Sequence, residues 1–147
     1  MKQFDKWVKL TPLFSFMENY LKSNKLNNVF VSTSNRKNTV SNIFKHYKIN
    51  FHGKNIFDNK TSLDKKEHAR IIKKRKNIDY TDIYFVDDQV KILIDMKKLG
   101  VKCFLASWGY NNNKQKKEAV RDGIKVIDEE TFGKIMYLLS SNRKIYI

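Results

Sequence analysis

Apolar positions along the chain alternate between two spacings. Leu13, Phe14, Met17, Tyr20 and Leu21 recur at helical intervals. They follow Thr11-Pro12, which suits the N-cap and first position of a helix because proline gives up only an N–H that has no helical partner there. NVFVS, residues 28–32, is a short β-rich run that ends in the polar stretch Ser32-Thr33-Ser34-Asn35. Val40, Ile43, Phe44 and Tyr47 mark one face of a second helix, and residues 49–62 read as loop with one short strand. Asp64 is placed to cap a basic helix running to about Asn77, with Ala69, Ile71 and Ile72 inward. Ile83 to Val86 is a wholly apolar run bounded by acids, which predicts a buried strand. Gln89 to Leu99 is helical, with Val90, Leu93, Ile94 and Met96 inward, and Gly100 stands where a left-handed helix terminus favours glycine. KCFLA (102–106) is the next buried strand. A loop, SWGYNNN, leads to a helix from about Lys114 to Asp122 that Gly123 ends. Ile124 to Ile127 is a short strand, and Glu129 to Leu139 is a last helix with Phe132, Ile135, Met136 and Leu139 on its face. Strands alternating with helices predict a single α/β domain over residues 1–147, with a core at about 11–139 and a mostly parallel sheet.

Composition narrows the class. With 41% hydrophobic residues spread over 147 positions, the chain can build a core, which argues against wholesale disorder. One cysteine, Cys103, excludes an intramolecular disulfide and a cysteine-based zinc cluster. The apolar runs are too short to span a bilayer and the N-terminal residues lack an apolar signal region, so a cytoplasmic protein with no membrane partner is expected. The net charge is +15, and residues 1–80 hold 18 of the 30 Lys/Arg against 6 of the 15 Asp/Glu. Such a field draws anions, from phosphorylated metabolites to nucleic acid, although abundant Lys and Asn throughout also fit compositional drift.

In a parallel α/β sheet, polar residues just past the carboxyl ends of strands face one crevice. Here these are Ser32 and Thr33, the pair Asp87-Asp88, and Ser107-Trp108-Gly109-Tyr110. Adjacent carboxylates suit a hard cation such as Mg²⁺, which takes oxygen ligands and keeps several waters. The same pair suits the N-terminus of the following helix, and the two roles are compatible. Ser32, Thr33 and Asn35 could hold a phosphate at a helix N-terminus. Lys65 or Lys66 could balance its charge over the crevice. His46, His52 and His68 lack metal-ligand spacing and read as incidental, and Cys103 reads as core.

In this order, the segments resemble the haloacid dehalogenase superfamily of Mg²⁺-dependent phosphohydrolases. VFVSTSNRKNTVSNIFKHYKI looks like its second motif, which implies that Ser32, with Thr33 the close alternative, holds the transferred phosphoryl group. LDKKEHARIIKK looks like the third motif, with Lys65 the better match and Lys66 the alternative. IYFVDD looks like the fourth, with Asp88 the implied Mg²⁺ ligand beside Asp87. DDQVKILIDMKKLGVKCF is similar to the capless magnesium-dependent phosphatase branch. WGY followed by a helix and GIKVI is similar to the phosphoglycolate-phosphatase-like branch. The resemblance implies a Rossmann-like three-layer core and Mg²⁺-dependent hydrolysis of a small phosphorylated metabolite or nucleotide. The alternative is an inactive relative that binds phosphorylated ligands, nucleic acid or a protein partner. Receiver domains also place paired acids after an apolar strand, but they need an Asp where this chain has Ala106-Ser107.

The family's first motif, Asp-x-Asp-x-Thr after a strand, is not found ahead of Ser32. Asp5 lies in FDKW without an apolar strand before it, and Asp58 in DNKT follows the second motif. Ile92 stands where the family often has a further acid. The chain therefore reads as a truncated or split form lacking the first strand and the cap. The family's missing strand would sit between NVFVS and IYFV. The expectation is that those two strands close directly on each other, or that a second chain supplies a strand. Recruitment of residues 3–10 is the less favoured solution.

Overall fold

The computed structural model describes residues 12–141. Its six α-helices are α1 (Ser15–Ser23), α2 (Lys37–His46), α3 (Lys65–Lys76), α4 (Val90–Lys97), α5 (Asn113–Arg121) and α6 (Glu129–Ser141). Its strands are β1 (Val31–Ser32), β2 (Ile56–Phe57), β3 (Tyr84–Asp87), β4 (Lys102–Ala106) and β5 (Lys125–Ile127). Local chemistry fixes most boundaries. The Asp64 carboxylate accepts the Lys66 N–H at 2.9 Å and starts α3. Asn77, at φ 52°, ends it. Asn112 and Gln115 form a reciprocal capping box on α5. Gly100 and Gly123 take the positive φ angles, 95° and 71°, that reverse the chain after α4 and α5.

One expected start is corrected. Helix α1 begins at Ser15, so Pro12 is not its first residue, and Thr11 lies outside the described residues. Leu13 instead enters by donating its N–H to the Tyr47 hydroxyl at 3.1 Å.

Every ladder is parallel, as expected of an α/β domain, but there are two sheets: β1–β2, and β3–β4–β5. Among the described residues no ladder joins β1 to β3, so the direct closure expected of these strands is not made. The fallback segment, residues 3–10, lies outside the described residues. Side chains tie the sheets together nonetheless. Phe30 and Phe57 share one core cluster with Ile83, Phe85, Leu93 and Leu105. A second cluster, around Leu21, Phe44 and Ile56, seats α1 and α2. A third holds α6 through Phe132 and Met136, and Phe16 and Trp108 meet Phe132 edge-on at 5.7 Å. Within each sheet the parallel strands point their carboxyl ends the same way, and α3 passes from β2 to β3. No helix among the described residues is long and apolar enough to cross a membrane.

Candidate functional site

Helix α3 begins where strand β3 ends, and one ion pair spans the junction. Lys65 Nζ donates to Asp87 Oδ2 at 2.6 Å, with the two side chains only 18% and 7% exposed. Lys65 is the first residue of α3, so the Asp64 cap that starts the helix also sets the root of its side chain. The neighbouring Lys66 turns back to Asp64, 3.6 Å away. Of the two candidate lysines, Lys65 is therefore the one at the strand end. A cleft of about 200 Å³ opens beside it, lined by Ser34, Leu63, Lys66, Gln89 and Asp95.

The acid pair is held from three directions. Asp87 Oδ1 accepts the Gln89 N–H at 2.9 Å, so this carboxylate braces the turn into α4 while pairing with Lys65. Asp88 Oδ2 accepts the Tyr110 N–H at 2.9 Å. That approach depends on Gly109, where a Cβ would lie 2.2 Å from the Asp88 Cβ. Asn111 straps the loop down, its amide donating to the Asp88 and Ala106 carbonyls at 3.3 and 2.8 Å. Asp88 Oδ1 is left without a partner among the described residues, and the buried Asn111 Oδ1 is likewise orphaned. Among the described residues no three His, Cys, Asp or Glu side chains gather as a metal cluster. Mg²⁺ does not require one, since it is commonly held by one or two carboxylates with waters and substrate phosphate. The hard, neutral-or-anionic oxygen donors of Asp88 and Asn111 fit that cation.

Ser32 lies at the end of β1, half-buried, and its Oγ sits 2.7 Å from His68 Nδ1. His68 is on α3 three residues after Lys65 and is 2% exposed. Burial pushes its pKa below the ordinary histidine value, the carbonyls of Ser62 and Asp58 oppose that shift, and the Lys65 charge adds to it. Its Nε2 makes no well-formed hydrogen bond. Thr33 Oγ1 accepts the Asn35 N–H at 3.0 Å and its own N–H donates to the Phe57 carbonyl, so these two residues shape the turn after β1.

Asp58, at the end of β2, is buried and fully bonded. It accepts the Lys37 N–H at the start of α2, the Lys60 and Thr61 N–H groups and the Thr61 hydroxyl. The Lys37 N–H is the main cause of its lowered pKa. A depressed folded pKa means that its stabilisation is complete above the ordinary Asp value, about 3.9, and is lost as pH falls through the folded value. Melting temperature is therefore expected to fall more steeply on acidification in the wild type than in Asp58→Asn. Parallel acid limbs in thermal melts would contradict this role.

Sequence reasoning set His68 aside and did not single out Asn111. For His68 a signal existed: Lys65, His68, Ala69 and Ile72 share the buried face of α3. Cys103 is core as expected, burial raising its thiol pKa to about 12. The basic end of α3 is less available to a polyanion than its composition suggests. Lys73 bonds the Ile78 carbonyl and Asp79, Arg75 the Lys54 carbonyl, and Lys76 the Asn27 carbonyl and Asn28. Comparison with protein-family models, curated proteins and solved structures finds no match.

Proposed function

We propose that the chain is a phosphate-ester-binding protein of the haloacid dehalogenase type, a phosphohydrolase acting on a small phosphorylated molecule with Mg²⁺. The observation that carries this reading is the Lys65–Asp87 pair. A lysine and a carboxylate from separate elements meet at 2.6 Å, at the carboxyl end of a parallel strand. The resemblance puts a lysine and an acid in those same roles.

In this reading Lys65 neutralises phosphate charge and Ser32 contacts the phosphoryl oxygens from the end of β1. Asp88 and Asn111 would hold Mg²⁺, with Asp87 keeping Lys65 aimed at the crevice. The cation, when bound, supplies Lewis-acid stabilisation of phosphoryl oxygens. Leu63 and Tyr110, both exposed, stand on the loops after β2 and β4 and could meet the organic part of the ligand. Among the described residues no carboxylate takes the place of the family's nucleophile, so steady turnover far below the usual 1–10³ s⁻¹ is expected.

Inorganic phosphate titrated into the chain with Mg²⁺ should shift the amide resonances of residues 32–35, 65 and 87–88. Lys65→Met should weaken that binding by roughly tenfold or more, since a desolvated charge-assisted hydrogen bond is worth about 1.5–3 kcal/mol. Unchanged affinity in Lys65→Met, or shifts confined to other surfaces, would end this reading.

A further inference from the structure

Resting on that phosphate site, we propose that Ser32 and His68 form a nucleophile–base pair, so that the crevice accepts a phosphoryl group on a serine where the family it resembles uses an aspartate. The geometry is that of an activated hydroxyl. The base lies 2.7 Å from Oγ, within reach of its proton, and is almost wholly buried, while Oγ itself is half-buried at a strand end. With the imidazole proton on Nε2, Nδ1 is the acceptor and the Ser32 hydroxyl donates to it. The packing of His68 against Phe57, ring centroids 5.4 Å apart, fixes the ring.

The step balances without further reactants. Oγ attacks phosphorus, its proton passes to Nδ1 of His68, the Oγ–P bond forms and the bond from phosphorus to the ester oxygen breaks. The ester oxygen leaves with the electron pair as an alkoxide or phenoxide, which takes a proton from water where its basicity requires one. The product is a phosphoserine, which is a stable ester. Because such an ester hydrolyses slowly, a burst approaching one equivalent should precede any further turnover. Two charged groups act on His68 across this site: Lys65, on the same helix face, opposes its protonation, and Asp58, from the end of β2, favours it.

The test uses the full chain with p-nitrophenyl phosphate and Mg²⁺, followed by p-nitrophenol release and by peptide mass mapping. Expected is a burst approaching one equivalent, with phosphate mapped to Ser32 and none in Ser32→Ala. His68→Gln should slow adduct formation by about 10²–10⁴-fold, the usual worth of a general base. The wild-type rate should fall on acidification only below the ordinary histidine range, about 6.5. That profile decides the matter if His68→Gln fails to fold. If phosphate binds as proposed above but no phosphoserine forms at Ser32, the pair is structural and this inference is overturned while the binding site stands. An adduct that forms equally fast in folded His68→Gln, or at a rate that already falls on acidification from above about 6.5, overturns it as well. Failure to bind phosphate at all removes both.

Discussion

Leu105→Ala is expected to lower the melting temperature by roughly 10 °C. Leu105 is 0% exposed and lies in β4, the middle strand of its sheet, opposite Asp87 of β3 and Val126 of β5. Truncating a leucine at such a site costs the transfer free energy of the lost methyls plus a cavity, together about 2–5 kcal/mol. Against a total stability of about 5–15 kcal/mol for a domain, that is a large fraction. A domain of this size loses about 3–4 °C per kcal/mol. Val120, on α5 and 63% exposed, gives the contrast: Val120→Ala should change stability by less than about 0.5 kcal/mol. Urea and thermal melts of both variants check the pair. If Leu105→Ala melts within about 3 °C of the wild type, the three-stranded sheet is not the core that organises this fold.

Elements specified by local chemistry were legible in the sequence. KCFLA is β4 to the residue, and the Asp64 cap, Gly100 and Gly123 mark boundaries where expected. Their information lies within a few neighbouring residues, where apolar period, capping side chain and positive φ agree. The start of α1 was misread because Thr11-Pro12 permits a helix but does not compel one. The entry is governed by a contact 34 residues away, Leu13 N–H to the Tyr47 hydroxyl. The division into two sheets was illegible for a like reason. NVFVS and IYFV each read as buried strands, and nothing local states which edge of each is paired. The site was legible in parts. Spacing placed Lys65 and Asp87 at element ends, but their meeting depends on the whole β2–α3–β3 crossover. His68 was masked by its neighbours, since in KKEHARIIKKRK a polar residue reads as solvated. Only helical register puts it with Ala69 and Ile72 on the inner face. The bracing role of Asp58 gave no signal because most of its partners are backbone N–H groups, one of them 21 residues back in the chain.

Asp87→Ala should destabilise the fold by nearly as much as Leu105→Ala, and Lys65→Met should relieve that loss. Removing one member of a buried pair leaves the other charged and unpaired, at a cost of roughly 3–5 kcal/mol. The expected value is at the lower end of that range, because Lys65 keeps 18% of its side chain in contact with solvent and can shift toward it. Asp87→Ala also leaves the Gln89 N–H, in the turn before α4, without its acceptor, at a further cost of about 1 kcal/mol. In the double variant no charge is stranded, and the methionine stem can pack on Phe85, over whose ring the Lys65 ammonium now sits at 5.9 Å. Replacing both partners of such a pair by apolar groups is often neutral or better. The double variant should therefore recover most of the lost stability, apart from the hydrogen bond to Gln89, and a thermodynamic cycle should show a coupling of about 2 kcal/mol. Phosphate binding should follow a different course. Lys65→Met and the double variant should both bind roughly tenfold more weakly or worse, however stable they are, because the cation is gone. A double variant as unstable as Asp87→Ala would mean that the pair is not buried as a unit. One that is stable and binds phosphate as tightly as the wild type would place the anion somewhere other than the end of β3.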